Sequence, residues 1–569
     1  MSRRLWIPPL VLALTIAPLY PQTSSNPGTT IKVETRLVLV DVVVTDGHGN
    51  PVPNLSQSDF QVLEDGAPQT IASFDEHKGV NSSPIKLPAL PPHVFTNYQP
   101  VQLPSSVTVL LLDWLNTQPA DQAFVRTQMT QYLKSLSPGT RIAIFTLNSS
   151  LRMVQGLTSD ISALQAVLDA KNGGADPQVS PLLPTELGDI ADQRIIEMMQ
   201  RSLASPAAIE AARQEMEAYS GSTAGSRVMI TLRAFQQLAR YLSTIPGRKN
   251  IVWFAGTFPI SFFPQRGFSY ALPHEYAGEL QKTADLLTPG EISVYPVSAQ
   301  GLRGWGYSAA NPRVPDVRSE DLNRAGDQIA METLAKDTGG EAFYNTNDLE
   351  GAITRAVSDG SRYYTLTYSP SNKSFDGKYR TINVQLKHEN YKLSYRRGYY
   401  ADAPKAQDES NHNPSNDHLL PFVAFGMPNF DQILFKVRVL PSTPQPSPES
   451  PRAGANAKPA GPTTRYSVDF AISMDNLKLA TTPDGLRHDA IEEMLIVFGP
   501  DGTPLNLVAR NHKLTIQPEA YAAYQKVGFQ LYDEIDVPNG GAYIRTAIYD
   551  ANSGDVGTLQ IPLSSSPVN

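Results

Sequence analysis

The centre of the chain alternates the patterns of buried strands and amphipathic helices. The stretch 107–117, VTVLLLDWLNT, has six apolar or β-branched residues in a row and stops at Asp113. An unbroken apolar run of this kind is typical of a strand buried on both faces of a parallel sheet. Similar strands are predicted at 141–147, 250–256 and 292–299, with helical patterns between them. The alternation predicts a doubly wound α/β domain with a mostly parallel sheet over residues 105–360.

Two departures from simple alternation occur inside this domain. Only a short turn separates the strand at 141–147 from LRMVQGLT, so the two are expected to form an antiparallel hairpin at the sheet edge. A long insertion, residues 172–225, carries its own helical pattern. We expect the insertion to begin and end at the carboxyl edge of the sheet.

On both sides of the α/β domain the sequence pattern predicts β structure. Residues 29–77 are predicted as a small immunoglobulin-like β domain, 361–402 as a three-stranded meander, and 420–569 as a C-terminal β-rich, sandwich-like domain. Segments 78–104 and 403–419 are predicted linkers, and the Pro-, Ser- and Ala-rich loop 441–464 is predicted to be disordered. The chain is therefore expected to be a multidomain protein.

The first residues have the pattern of an export signal. Arg3 and Arg4 precede an apolar segment from Leu5 to Leu19. That segment is shorter than the about 20 residues that span a bilayer. Since no small-x-small cleavage pattern follows, residues 1–28 are predicted to be either a signal peptide or a retained N-terminal anchor. The protein is expected in the periplasm, at the cell surface or in the medium, with membrane contact only through such an anchor.

The composition excludes several classes of site. The 569 residues carry a net charge of −8 and no cysteine. This charge gives no support for binding nucleic acid, and the lack of cysteine excludes thiolate metal sites, disulfides and thiol nucleophiles. The sequence has no Gly-rich phosphate loop, no G-x-S-x-G and no paired histidine motif. We therefore predict that the protein is not an enzyme.

The order of the elements resembles a von Willebrand factor A domain protein of the exported bacterial type first grouped from acidobacteria. The resemblance is carried by VTVLLLDWLNT, IPGRKNIVWFAG, DFQVLEDGAPQTIASF upstream, and RYYTLTYSP with YRRGYYA downstream, together spanning about residues 33–400. It implies a Rossmann-like central domain flanked by β domains, and a role in protein binding.

Domains of this family often carry a metal-ion-dependent adhesion site, with the motif Asp-x-Ser-x-Ser after the first strand. The resemblance implies Asp113 and Thr117 as ligands, with Thr223 or Ser226 supplying a hydroxyl before the third helix. Mg²⁺ is the candidate metal.

Two positions of that motif have lost their oxygen ligands. Leu115 replaces the first serine, and Ala255 stands where the family has its last aspartate. Because Mg²⁺ requires six oxygens in near-octahedral geometry, the site is expected to be degenerate. The alternative reading is that Asp113 caps the following helix.

Aromatic side chains gather on the loops at the carboxyl edge, where open parallel sheets bind ligands. The residues predicted to contact a protein partner are Trp114, Asn116, Phe262, Phe263, Trp305 and Tyr307. Alternatively, these aromatic groups pack on one another and on the insertion as a closed lid. The predicted function is protein binding outside the cytoplasm. Its rivals are a metal-assisted enzyme at the Asp113 edge and a structural module of the envelope without a separate ligand.

Overall fold

The computed structural model describes most of the chain from residue 37 onward. The described residues are 37–78, 90–98, 106–134, 136, 140–169, 182, 186–202, 205–258, 275–301, 317–387, 390–401, 418–442, 463–538 and 540–563. The predicted export signal at 1–28 and residues 443–462 of the predicted disordered loop lie outside them. No helix within the described ranges is both long enough and apolar enough to cross a membrane.

The elements follow one another in three groups. The first contains β1 (Val38–Thr45), β2 (Phe60–Glu64), β3 (Ala67–Gln69), β4 (Ile71–His77) and β5 (Val94–Thr96). The second contains β6 (Ser106–Asp113), α1 (Pro119–Lys134), β7 (Ile142–Leu147), β8 (Leu151–Thr158), α2 (Ile161–Asp169), α3 (Glu186–Arg201), α4 (Pro206–Ser243), β9 (Arg248–Ala255), α5 (Glu275–Leu287), β10 (Ile292–Ser298), α6 (Val317–Thr338) and α7 (Leu349–Ser361). The third contains β11 (Tyr363–Tyr368), β12 (Tyr379–Leu386), β13 (Lys392–Ser394), β14 (Gly398–Tyr400), β15 (Phe435–Pro441), β16 (Thr463–Ile472), β17 (Ala480–Thr481), β18 (Arg487–Phe498), β19 (Pro504–Ile516), α8 (Pro518–Val527), β20 (Phe529–Pro538), β21 (Tyr543–Asp550) and β22 (Val556–Pro562).

The second group forms a central α/β domain around one five-stranded sheet. Its strand order is β10-β9-β6-β7-β8, in which β10, β9, β6 and β7 run parallel and β8 is antiparallel at the edge. The antiparallel edge hairpin predicted from the sequence is thus present. Val109 and Leu111 of β6 pack in a core with α4, α5 and α6, whereas Leu110 and Leu112 pack with α1, α2 and α7. The sheet therefore buries both faces against helices, which explains the unbroken apolar run of β6.

The strands on either side of this domain share two sheets. One has the order β13-β1-β11-β4 and the other β14-β12-β2-β3. Val40 and Val62, from before the central domain, lie in the same core as Leu366 and Val384, from after it. We call this unit the first sandwich. The sequence patterns predicted two separate units, a domain at 29–77 and a meander at 361–402, because pairing between strands about 300 residues apart leaves no local pattern.

The C-terminal strands form a second sandwich, with sheets β20-β16-β15-β5 and β17-β18-β21-β22, and with β19 paired to β18. Its first sheet recruits β5 from the segment predicted as linker 78–104. Asn97, which is fully buried just after β5, donates to the carbonyls of Phe430 and Ile433 at 2.8 Å each and accepts from Phe435 N at 2.9 Å. Part of the predicted linker is therefore an integral strand of this sandwich.

Residues 418–434, here called the connector, pack between the central domain and the second sandwich. Phe422 and Met427 of the connector share one core with Leu238 of α4 and Ile496 of β18. Arg545 on β21 is fully buried against it. The guanidinium donates to the carbonyls of Phe422, Met427 and Pro428 and to the Thr558 hydroxyl. Burial lowers the pKa of Arg545 to about 9. This arginine organises the connector because its donors satisfy carbonyl groups that have left water.

Replacing Arg545 by Met should destabilise the fold strongly, because three buried carbonyls then lose their donors. At about 1 kcal/mol or more for each, the free energy of unfolding should fall by roughly 3 kcal/mol. Arg438→Met is the matched control, since Arg438 lies on the exposed side of β15 and bonds to Asp469. That change should cost less than about 1 kcal/mol. Urea unfolding followed by circular dichroism measures both, and equal losses would contradict this role of Arg545.

Candidate functional site

Asp113 ends β6 at the carboxyl edge of the central sheet and is fully buried. Its Oδ1 accepts a hydrogen bond from the backbone N of Asn116 at 3.1 Å, and its Oδ2 accepts from Asn116 Nδ2 at 2.8 Å and from Trp253 Nε1 at 2.9 Å. Burial raises the pKa of Asp113 to about 6, and these hydrogen bonds together with the charge of Arg227 oppose the rise. At neutral pH the carboxylate is therefore charged and enclosed by donors.

Asn116 links this carboxylate to helix α4. The same Nδ2 donates to the hydroxyl of Thr231 at 2.9 Å, and the side-chain oxygen accepts from Arg227 at 3.2 Å. Arg227 is only 4% exposed and also donates to the hydroxyl of Thr257 at 3.3 Å. Its guanidinium thus supplies positive charge beside the buried Asp113. We call Asp113, Asn116, Arg227, Thr231 and Trp253 the Asp113 cluster.

Sequence reasoning did not single out Arg227 or Thr231. The signal that could have found them is their spacing, because residues four apart lie on one face of a helix. Here two polar residues interrupt the face of α4 that packs on the sheet, where Val228, Leu232 and Phe235 are buried.

Thr117 ties the turn after β6 to the end of β9. The side chain is fully buried, and its hydroxyl accepts a hydrogen bond from Gly256 N at 3.0 Å. A Cβ at Gly256 would lie 2.9 Å from the carbonyl oxygen of Asn116, so the two loops meet closely only because residue 256 is glycine. Thr117 therefore fixes the geometry of the edge.

The groups around Asp113 do not fit a hard cation. A bound Mg²⁺ requires converging oxygen acceptors, whereas both carboxylate oxygens here receive N–H donors. Leu115 and Ala255 are fully buried and offer no oxygen from their side chains. Within the described ranges, no group of three or more His, Asp or Glu side chains is arranged to hold a metal ion.

The structure also places the other predicted metal ligands differently from the sequence prediction, and Asp113 makes different bonds from those of the predicted helix cap. Ser226 is exposed, and its hydroxyl donates to the carbonyl of Ser222 in the same helix at 3.0 Å. Thr223 lies half-buried one turn earlier, while the contacts from α4 to Asn116 come from Arg227 and Thr231. Asp113 bonds to the turn at Asn116 and not to the first turn of α1.

The aromatic residues predicted to bind a partner divide into two sets. Trp114 is fully buried in the core with α1 and α7, and Asn116 is 1% exposed, so neither forms a surface. Trp114 points inward because the chain turns back directly after β6 and packs its indole on the adjacent helices. Phe262, Phe263, Trp305 and Tyr307 lie outside the described residues, and their role stays a prediction.

A second acidic group lies near the Asp113 cluster. Asp327 of α6 lines a cleft at the ends of β9 and β10, together with Gly256, Ser298 and Asn345. Burial raises the pKa of Asp327 to about 7, and the charge of Arg227 and the N–H of Phe258 oppose the rise. Its Oδ1 has no hydrogen-bond partner within the described part of the chain. The charge of Arg227 therefore acts on two buried carboxyl groups, those of Asp113 and Asp327.

Helices α3 and α4 form a hairpin beyond the carboxyl edge. The buried part of α4 begins at Ala224, and its Arg227 already contacts the edge residue Asn116. The roughly 20 preceding residues of α4 extend about 30 Å past the sheet at 1.5 Å per residue. They pack against α3, and this helical hairpin corresponds to the helical pattern of the insertion 172–225. Its exposed apolar side chains are Ile195 (40% exposed), Met198 (61%) and Tyr219 (69%).

No protein-family model matches the sequence, and no curated protein matches it significantly. Similar solved structures include an aerotolerance-related membrane protein from Bacteroides fragilis, 12% identical, with a TM-score of 0.23 over 44% of this chain and 98% of its own. A von Willebrand factor type A protein from Catenulispora acidiphila is 10% identical, with a TM-score of 0.23 over 64% of this chain and 80% of its own. The pilus adhesin SpaC from Lactobacillus rhamnosus GG is 9% identical, with a TM-score of 0.26 over 88% of this chain and 58% of its own. Scores this low carry no argument about function, and the strand order and cores of the chain itself define its fold.

Trp253→Phe should destabilise the protein more than Trp114→Phe. Both indoles are fully buried, but the N–H of Trp253 bonds to Asp113, whereas that of Trp114 has no partner among the residues that the structure describes. Both variants create a similar cavity, so the difference isolates a hydrogen bond to a charged group and should reach about 2 kcal/mol in urea unfolding.

The difference should also depend on pH. The folded pKa of Asp113, about 6, lies above its ordinary value of 3.8, so this carboxyl makes the fold less stable as pH rises between those values. Without the indole donor, the folded pKa of Asp113 rises further, so the loss of stability continues to higher pH. The gap between the two variants should therefore widen from about pH 5 to about pH 8. A gap that stays constant over this range would show that Trp253 does not act on the ionised carboxylate.

Proposed function

We propose that the protein is exported and binds a protein partner at the carboxyl edge of its central domain, without catalysis and without a metal ion. The observation that carries this proposal is the helical hairpin of α3 and α4, which extends past that edge with exposed Ile195, Met198 and Tyr219. The mostly parallel sheet with an antiparallel edge hairpin is consistent with the A-domain resemblance of the sequence.

The Asp113 cluster supports a structural role for the aspartate that a metal site would use. A buried carboxylate is costly unless it is paired and hydrogen-bonded, and here Asn116, Trp253 and Arg227 do this within the chain. Because these groups of the chain compensate its charge, the carboxylate does not require a bound cation. The cluster instead holds β6, β9 and α4 in one arrangement.

The hairpin supports protein binding because it exposes the side chains that interfaces favour. Ile195 and Met198 are three residues apart and share one face of α3. Methionine and aromatic side chains are enriched in interface cores. Covering them with a partner removes apolar surface from water, at about 25 cal/mol per Å². Since Arg227 and Thr231 both bond to Asn116 at the sheet edge, α4 is anchored there, and the hairpin presents this face from a rigid base.

A partner-binding experiment can separate the hairpin from a metal site. The full chain, immobilised, is used to capture proteins from envelope extract of its source, with and without a chelator. Ile195→Glu with Met198→Glu should reduce capture of the main bound protein by about tenfold or more, since charge placed at the centre of an interface must be desolvated. The control is Val527→Glu with Tyr532→Glu, which changes two exposed apolar residues of the second sandwich and should leave capture intact.

The chelator should have no effect, and calorimetry with Mg²⁺ should detect no binding. Micromolar Mg²⁺ binding that disappears in a folded Asp113→Asn variant would overturn the metal-free reading. Capture that survives the hairpin variant would place the binding surface elsewhere.

Export rests on Arg3, Arg4 and the apolar segment that follows them. Residues 1–30 fused to a reporter that is active only outside the cytoplasm should give activity. Replacing two leucines of the apolar segment by Glu should abolish it, because the segment must enter the membrane during translocation. A fusion that is expressed but inactive would exclude export by this segment.

A further inference from the structure

A narrow cleft lies at the carboxyl ends of β9 and β10, and its described lining includes Gly256, Ser298, Gln300, Asp327, Met331 and Asn345. We call it the Asp327 cleft. The space open to the centres of water-sized groups is about 30 Å³. One such group needs about 10–15 Å³ of this space, so the cleft admits about two compact groups and no ring. A ligand that enters it must therefore be small at its tip.

Asp327 brings an unsatisfied acceptor to this cleft. Its Oδ1 is buried and receives no hydrogen bond from the described part of the chain, while the N–H of Phe258 bonds to the same carboxyl. Arg227 acts on Asp327 through its charge. The guanidinium itself donates to Asn116 and Thr257, and Arg227 does not line the cleft. Because a buried carboxylate oxygen without a donor is costly, a ligand that supplies a donor there gains a favourable contact.

The charges at this end of the sheet leave one carboxylate in excess. Among the described residues, Arg227 is the cation whose charge acts on both Asp113 and Asp327. One guanidinium balances one of these two carboxylates. The other described residues that line the cleft are uncharged. One further positive charge would therefore be balanced at this edge, and the Oδ1 of Asp327 is the atom that can bond to it.

We propose that the Asp327 cleft binds the ammonium group of a lysine side chain from the protein partner. An ammonium group carries a single charge and three donors within a compact volume. One donor can reach the Oδ1 of Asp327, and the side chains of Ser298 and Asn345 supply further acceptors along the walls. The methylene stem of the lysine can pack on Met331, as lysine stems do on apolar surface.

Other cations fit this cleft less well. The guanidinium of arginine is planar and wider, and a space of about 30 Å³ does not admit it. Mg²⁺ requires six oxygens in near-octahedral geometry, whereas the described lining contains a single carboxylate. A lysine reaches the cleft from a partner seated at the carboxyl edge, where α4 leaves the sheet. The inference rests on the proposed function for the place of that partner, and it adds the chemistry of one contact.

The probe for this contact is Nα-acetyl-lysine N-methylamide, which presents the lysine side chain without a protein around it. Ligand-observed NMR with the full chain should show saturable binding, with a Kd in roughly the millimolar range because the contact is a single one. Nα-acetyl-norleucine N-methylamide keeps the stem and lacks the charge, so it should bind at least about tenfold more weakly. Ammonium chloride should compete weakly with the lysine probe, because the free ion lacks the stem.

Asp327→Asn keeps the shape of the side chain and removes its charge, so it should weaken binding of the lysine probe by about tenfold. Ser298→Ala removes a neighbouring acceptor and should weaken binding by roughly threefold. Asp337→Asn is the matched control. Asp337 lies near the end of the same helix, its pKa is also raised by burial, and it does not line the cleft. That variant should bind the probe as the unchanged chain does.

Circular dichroism must show that each variant is folded, and the norleucine comparison tests the charge without any variant. No saturable binding of the lysine probe would overturn the proposal, in favour of an ordered water at the Oδ1 of Asp327. Equal weakening in both aspartate variants, or ammonium chloride binding as tightly as the lysine probe, would overturn it as well. The test uses no partner and leaves Ile195 and Met198 unchanged, so its failure is distinct from a failure of the capture experiment.

Discussion

The burial of one negative charge at the end of β6 constrains the carboxyl edge of the central domain. A carboxylate without water must be met by donors and by positive charge, or the fold pays the full cost of desolvation. Asp113 meets this requirement through the turn at Asn116, the indole of Trp253 on β9, and Arg227 on α4. Because these groups come from three different elements, the charge can be satisfied only when strand, turn and helix are all in place. The direction in which α4 leaves the sheet, and so the position of the hairpin, follows from that requirement.

A buried positive charge stabilises the contacts on the other side of α4. Arg545 is buried among carbonyls of the connector, and the connector in turn packs on α4. Arg240 of α4 reaches across the same contact, with its guanidinium 5.3 Å from the ring centroid of Phe422 and bonded to the carbonyl of Gly554. The helix that carries the proposed binding hairpin is therefore held by the sheet at one place and by the second sandwich at another. A long helix anchored twice can present an exposed face with little loss of conformational entropy on binding.

The sequence predicted those parts of the fold that local periodicity determines. The apolar runs of β6 and β9, the hairpin of β7 with β8, and the helical nature of the insertion all leave patterns within about 20 residues. Contacts between residues that are far apart in the sequence leave no such pattern. The joining of β1 to β11, the recruitment of β5 by β15, and the contact of Asn116 with Arg227 fall in this class. The same limit explains why Trp114 was wrongly predicted to lie on a binding surface. Its position in the sequence, beside the predicted ligand-binding edge, does not reveal that its indole is buried in the core.

Replacing a metal by an internal arginine would change what can regulate the edge. A metal site responds to the supply of cations, whereas Arg227 is part of the chain and is present at fixed stoichiometry. Burial lowers the pKa of its guanidinium, and the charges of Asp327 and Asp113 oppose this. The protonation state of the two carboxyl groups near Arg227 can still change. Burial raises the pKa of Asp113 to about 6 and that of Asp327 to about 7, so both approach neutrality in mild acid. Protonation would leave the guanidinium as an uncompensated buried charge, which destabilises the base of α4. On the proposed function, partner binding through the hairpin should then be insensitive to divalent cations, and acid should act on it through the base of α4.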